Sequence, residues 1–187
     1  MDNENSTLNN LEPTGNVSSM KTGMKWGAII ALASIIISLL FYFVKGTMES
    51  NWIQTVLSLV LIFGGLSMGI KEQRDVLQNG NISFGKAFGT SMLIAMFYGI
   101  IGAFFMFLFM KFGDSSLIDK TLEQTAEKMR DKGQSEEQVE LAIEMTKKMM
   151  SPVMMGVWAF VGTLVMALIP ALIMSAILKK EKPESGF

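Results

Sequence analysis

A cluster of methionines is one of two residue groups in this sequence that could do chemistry. Met145, Met149, Met150, Met154 and Met155 lie close together along the chain, and thioether sulfur is a soft ligand that suits Cu(I). The chain has 17 methionines in all but no cysteine or histidine to complete such a site. Because methionine also fills irregular gaps between helices, packing near a membrane boundary explains the cluster, and no metal site is predicted.

Four glutamates form the second group with chemical potential. Glu136, Glu137, Glu140 and Glu144 recur at helical spacing and could hold a hard cation through their carboxylates. Two lysines, at positions 147 and 148, follow within a turn, so a solvated helix face with ion pairs between neighbouring turns explains the row. No cation site is predicted here.

Catalytic chemistry lacks its usual residues. Without histidine or cysteine, the commonest general base and the thiol nucleophile are both missing. Lys71, Arg74 and Lys86 could meet lipid headgroups, but they are too few for a polybasic site. We therefore predict no catalytic residue, no cofactor-binding residue and no cofactor, and the net charge of −1 gives no basis for a nucleic-acid partner.

The elements that carry these residues are mostly apolar. Half of the 187 residues are hydrophobic and the mean hydropathy is +0.38, which is high for a soluble domain. Four runs free of charged residues are long enough to cross a hydrocarbon core of about 30 Å as helices. They indicate an all-α membrane protein with four transmembrane helices in a membrane domain over 20–180, and the runs are 26–44, 52–70, 88–110 and 152–178. Ion-coupled transport loses support, because it needs charges inside such runs.

The polar segments lie outside these runs. Residues 1–19 are predicted to be a disordered tail, and 181–187 a carboxyl-terminal tail. Residues 112–151 read as an αα-hairpin, in which Gly133 ends the first helix and a capping box of Ser135 and Gln138 opens the second. The predicted apolar faces are Leu117, Ile118, Leu122, Ala126 and Met129, then Val139, Ala142, Ile143, Thr146 and Met150.

The sequence allows two helix arrangements where the hairpin meets the fourth run. Ser151-Pro152 can start a new helix, with proline at its first position, or the second hairpin helix can continue through Pro152 with a kink.

Small residues recur at helical spacing in all four runs, which favours close packing into a four-helix bundle. A permeation path or the contact face of a homo-oligomer is the alternative. The stripes are Gly27, Ala31, Ser34 and Ser38; Gly65 and Gly69; Ala95, Gly99 and Ala103; and Ala159, Thr163, Ala167, Ala171 and Ser175.

Basic residues near the ends of the runs predict the orientation. Eight lie on the side of the two termini and of the connection 71–87, and four lie on the opposite side. Since basic residues favour the cytoplasmic side, both termini are expected in the cytoplasm and the hairpin 112–151 outside it.

Two stretches carry a family resemblance. The segment 80–88 (GNISFGKAF), which follows a charged segment and precedes a glycine-studded run, and the segment 23–27 (GMKWG) resemble the bacterial membrane-protein family known as domain of unknown function 4199, DUF4199. The resemblance covers roughly 20–180. It implies an integral protein of the bacterial inner membrane with four spans and a longer polar segment before the last, and it supplies no activity and no site residue.

Three functions follow in order of preference. The first is a non-enzymatic scaffold or interaction protein, embedded in the lipid bilayer, whose polar hairpin contacts an envelope protein. The second is an oligomeric permease or channel for ions or small molecules. The third is a membrane enzyme acting on lipid.

Overall fold

Six helices make up the part of the chain that the computed structural model describes, which is residues 14–45, 52–112 and 116–181. They are α1 (Thr14–Lys45), α2 (Trp52–Asp75), α3 (Phe84–Phe112), α4 (Ser116–Asp131), α5 (Glu136–Met149) and α6 (Pro152–Leu178). These ranges contain no strand. Four helices, α1, α2, α3 and α6, have the length and apolar composition to cross a membrane, which indicates a membrane-spanning protein.

The long helices extend beyond the apolar runs. Helix α2 continues through the charged residues to Asp75, and α3 begins at Phe84, four residues before the run starts. Helix α1 begins at Thr14, inside the predicted disordered tail 1–19, so the prediction is wrong for the last part of that tail. An existing helix extends at little cost, and Ser19 is buried in the fold, which composition alone does not reveal. Residues 1–13 and 182–187, which hold the rest of both predicted tails, lie outside the described residues.

Close helix contacts depend on the small residues. Helix α3 packs most extensively against α6 and α1, while α2 packs against α1, α6 and α3. A Cβ atom added at Gly27 would lie 2.7 Å from the Cβ of Phe97 and 2.8 Å from the carbonyl oxygen of Ile94, so α1 and α3 meet nearly backbone to backbone. At Gly156, the added atom would lie 3.2 Å from the carbonyl oxygen of Ala103. Dispersion contacts of this kind hold helices together in lipid, where the hydrophobic effect between them is weak.

Packing is much tighter at one end of the four long helices than at the other. Nearly all buried residues described in these helices lie in the half nearer the loop 76–83 or at the border of that half. The exception is Gly156. We call this the closed end. The open end is the opposite one, where α1 and α3 end and α2 and α6 begin. Ile30, Leu66, Ile94 and Ala171, one from each long helix, form the core of the closed half.

The loop 76–83 seals the closed end. Asn79 and Gly80 both have positive φ angles, 52° and 82°, as expected of an Asn-Gly turn. The hydroxyl of Ser83 then accepts a bond from the backbone N–H of Lys86 at 3.4 Å and so caps α3. Ile82 and Lys180 exchange two backbone hydrogen bonds of 2.8 and 2.9 Å, which tie this loop to the chain directly after α6.

Helices α4 and α5 lie between α3 and α6 in the chain and contact each other. Gly133, with φ 75°, follows the end of α4, and Ser135 and Gln138 form the predicted capping box at the start of α5. Leu122, Ala126 and Val139, all from the predicted apolar faces, are buried.

At the junction of α5 with α6, the structure has the first of the two predicted alternatives, a new helix. Helix α5 ends at Met149, and the hydroxyl of Ser151 accepts a bond from the N–H of Met154 at 3.3 Å. Pro152 occupies the first turn of α6, where its missing N–H costs nothing. A new helix therefore begins here.

Candidate functional site

Polar side chains fasten α1 to α2 at the closed end. The hydroxyl of Thr22 donates to Oε1 of Gln73 at 2.8 Å, and both side chains are buried. One turn further along α1, Lys25 donates to both oxygens of Glu72 at 2.9 Å, and the indole N–H of Trp26 donates to Glu72 at 2.6 Å. These bonds join two helices at fixed register, which is a structural role.

Arg74 continues this fastening toward α6. Its guanidinium pairs with Asp75 at 2.6 Å and donates to the carbonyl oxygen of Leu178 at 3.3 Å, at the end of α6. A cation near the carboxyl end of a helix is favourable, because the last carbonyls there carry partial negative charge. Lys71 and Lys86, which were considered with Arg74 as possible contacts of lipid headgroups, are both exposed.

Two cavities of about 270 and 200 Å³ lie toward the open end, and both are lined by Tyr98 and Thr163. We call the two cavities together the cleft. The larger lies against α2, α3 and α6, and the smaller against α1, α3 and α6. Uncharged polar side chains from all four long helices line them: Ser34, Ser38, Gln54, Thr55, Ser58, Tyr98 and Thr163.

The chemistry of the cleft follows from this lining. Among the residues that the structure describes, no Asp, Glu, Lys or Arg lines either cavity. Thr163 donates to the carbonyl oxygen of Ala159 within its own helix at 2.8 Å, and Gln54 reaches Ser38 at 3.5 Å. The hydroxyl oxygen of Ser34 is buried and has no hydrogen-bond partner among the described residues. Such a lining can hold an uncharged group that both donates and accepts hydrogen bonds.

An apolar row occupies the outer face of α5. Leu141, Met145 and Met149, spaced by four residues, expose 60%, 59% and 50% of their surface, on the side opposite the buried Val139. We call these three residues the α5 row. Charged residues border it, including Lys148, which pairs with Glu144 at 2.8 Å.

The turn between α4 and α5 is held by one ion pair. Arg130 donates to both carboxylate oxygens of Glu136 at 2.9 and 3.0 Å. These hydrogen bonds and the nearby positive charge hold the pKa of Glu136 below its usual range. The pair therefore stabilises the fold at pH values above the ordinary pKa of glutamate. This stabilisation is lost as the pH falls through the lowered pKa of Glu136.

Most members of the methionine and glutamate groups singled out in the sequence are exposed, while Met150 and Met155 are half-buried. Met145, Met149 and Met154 are exposed, and so are the four glutamates of α5. Within 14–45, 52–112 and 116–181, no group of three or more histidine, aspartate or glutamate side chains is arranged to hold a metal ion.

Sequence reasoning missed the cleft. Ser34, Ser38 and Thr163 were interpreted as packing residues, with a permeation path or an oligomer contact as the alternative, and Tyr98 and Gln54 were not considered. Part of their signal was present, because Ser38, Gln54 and Thr163 are uncharged polar side chains in the parts of three apolar runs that lie away from the connection 71–87. That these side chains surround a common space with Tyr98 is a property of packing alone.

Comparison with known proteins gives one match. The family described as "Protein of unknown function (DUF4199)" matches residues 25–180, which is most of the chain. Searches of curated proteins and of solved structures give no match.

Proposed function

This chain belongs to the DUF4199 family of proteins of unknown function, and from that premise we propose that it is a non-enzymatic integral membrane protein whose α4–α5 hairpin binds a protein partner. In this proposal α1, α2, α3 and α6 form a four-helix bundle in the bacterial inner membrane. The two termini are cytoplasmic, and the hairpin projects on the other side.

The α5 row is the observation that carries this proposal. Helices α4 and α5 bury Leu122, Ala126 and Val139 against each other and pack far less against the long helices than those do among themselves. The hairpin therefore does not complete the bundle. It nevertheless exposes three large apolar side chains in one row, bordered by charges, which is the composition of a protein contact surface.

A protein fits the α5 row better than an anionic bilayer surface does. From Lys111 to Ser151 the chain has nine acidic and seven basic residues, a net charge of −2, which an anionic lipid surface repels. Two of the three residues in the row are methionines, whose flexible side chains adapt to a partner's shape.

Orientation can be measured directly, because the chain has no native cysteine. Gln134→Cys places one thiol at the exposed turn between α4 and α5 and spares the capping residue Ser135. Because the positive-inside rule places this turn outside, a membrane-impermeant maleimide is expected to label Gln134→Cys in intact cells. Val76→Cys, exposed at the closed end, is the matched control and is expected to react only after lysis. The reverse pattern would place the hairpin in the cytoplasm.

Partner binding is tested on the full chain. Met145→Glu puts a charge in the middle of the α5 row without touching the buried face of the hairpin. If a partner covers the row, the amount of partner that co-purifies in mild detergent is expected to be at least tenfold lower with the variant than with the wild type. The reason is that a buried unpaired charge costs several kcal/mol.

The matched control is Gln134→Glu, which adds the same charge at an exposed position off the row. It should retain the wild-type amount of partner. If Met145→Glu and the wild type co-purify with the same partners, the row is not a contact surface. Equal loss in both variants would show that net charge matters and that the row does not.

One observation favours the second candidate, a permease. The cleft gives a polar-lined space between the spans, to which the small-residue stripes contribute Ser34, Ser38 and Thr163. Other stripe residues, Ala167, Ala171 and Ser175, are buried in helix contacts instead. A path across the membrane would also have to pass the packed core of the closed end. Flux into liposomes that Gly162→Leu abolishes would support this function.

A further inference from the structure

We infer that the cleft is a binding site for an uncharged amphiphile, a molecule with an apolar chain and a polar part that carries hydroxyl, ester or amide groups. This site is independent of the partner contact proposed for the hairpin. All of its described lining residues belong to the long helices, and it would operate whether or not the α5 row has a partner.

Convergence of polar groups distinguishes the cleft from a packing gap. A polar side chain facing hydrocarbon costs free energy unless it finds a hydrogen-bond partner, so spans seldom gather several around an apolar space. Here all four helices contribute hydroxyl or amide groups to adjoining cavities. The buried hydroxyl of Ser34 in particular has no partner among the described residues, and a ligand hydroxyl or carbonyl would supply one.

Two glycines keep the space available. A Cβ atom added at Gly102 or at Gly162 would meet nothing within 4 Å, and each glycine lines one of the cavities. At Gly27, Gly69 and Gly99, by contrast, the added atom would press against a neighbouring helix. Gly27, Gly69 and Gly99 thus allow helices to touch, whereas Gly102 and Gly162 leave open space inside the cleft.

Charge and size define the ligand class. A charged headgroup in the cleft would be desolvated without a counter-ion, because none of the described residues that line the cavities is Asp, Glu, Lys or Arg, whereas hydroxyl and amide groups are matched by the lining. A cavity of about 150 Å³ holds benzene, so 270 and 200 Å³ admit groups of about ten and eight non-hydrogen atoms. Apolar side chains such as Leu59, Phe105 and Met106 also line the cleft and suit the beginning of an acyl chain.

Photo-crosslinking of the full chain in phosphatidylcholine nanodiscs tests this assignment. The probe is a monoacylglycerol with a photoactivatable group in its acyl chain, and crosslinked peptides are identified by mass spectrometry. Labelling is expected on the segments of α2, α3 and α6 that line the cleft. Unlabelled monooleoylglycerol should compete, while oleyl sulfate, oleyltrimethylammonium and free glycerol at the same concentration should not.

Variants connect the labelling to the cleft. Gly162→Leu and Gly102→Leu fill the two cavities from inside, and each is expected to lower labelling at least tenfold. Gly89→Leu is the matched control, since it is exposed, has nothing within 4 Å of an added Cβ and lines neither cavity; it should label like the wild type. Ser34→Ala removes one hydroxyl and is expected to weaken competition by monooleoylglycerol about fivefold, the worth of one hydrogen bond.

Several results would overturn the assignment. Labelling spread over the lipid-facing surface, or unchanged in both cavity-filling variants, would mean that the cleft holds no amphiphile. Equal competition by the charged amphiphiles would contradict an uncharged ligand, and competition by free glycerol would contradict the need for an apolar chain. The wild-type competition series keeps the inference testable even if a leucine variant fails to fold.

Discussion

Gly27→Leu is expected to lower the free energy of unfolding by about 3 kcal/mol, at the upper end of overpacking effects in cores. Its Cβ alone would lie 2.7 Å from the Cβ of Phe97 and 2.8 Å from the carbonyl oxygen of Ile94. A backbone oxygen cannot rotate away as a side-chain end can, so α1 and α3 must separate along the closed end. Unfolding by sodium dodecyl sulfate in mixed micelles, followed by circular dichroism, measures the loss.

Gly89→Leu controls for the intrinsic preference of leucine for helix. Gly89 is exposed on α3, and an added Cβ there meets nothing within 4 Å. Leucine favours helix over glycine by up to about 0.8 kcal/mol, so this variant should be as stable as the wild type or slightly more so. Equal destabilisation of both variants would show that α1 and α3 do not approach each other as closely as described.

Gln73→Leu is expected to cost about 2 kcal/mol, the second largest effect on stability. The Gln73 side chain is completely buried and accepts the hydrogen bond of Thr22 at 2.8 Å. Leucine keeps most of the volume but removes this acceptor, so α1 loses one of its polar contacts with α2, and Thr22 is left without this acceptor in a buried place. The same detergent titration gives the change in unfolding free energy.

A double-mutant cycle shows whether the bond itself is responsible. Thr22→Val combined with Gln73→Leu should cost less than the sum of the single changes by about 1 kcal/mol, within the range measured for hydrogen bonds between membrane helices. Gln54→Leu, at the open end where its bond to Ser38 is a long 3.5 Å, should cost less than Gln73→Leu. Full additivity would mean that Thr22 and Gln73 do not interact.

Local sequence signals predicted the features that depend on neighbouring residues. The four apolar runs became four long helices, because a helix satisfies its own backbone hydrogen bonds whatever surrounds it. The capping box at Ser135 and the helix stop at Gly133 also depend on adjacent residues alone, whereas the junction at Pro152 was left open between a new helix and a kinked continuation.

Features that depend on distant residues were not predictable in this way. The charged residues after position 70 were taken for a connection, yet Glu72 and Arg74 lie in α2 and contact distant residues. Glu72 pairs with Lys25 on α1, and Arg74 donates to the carbonyl oxygen of Leu178 on α6. The concentration of packing at one end depends on how four helices diverge, which hydropathy does not encode. The cleft is a consequence of that divergence.

The pairing of Ile82 with Lys180 has a consequence for biosynthesis. Segments on both sides of α4 and α5 meet here, and the most extensive helix contact, between α3 and α6, also joins segments on both sides of them. During translation α1, α2 and α3 therefore enter the membrane before the surface that completes them exists. Nascent chains that stop before α6 leave the small-residue face of α3 uncovered, so quality-control proteases should recognise truncated products, and maturation waits for the final helix.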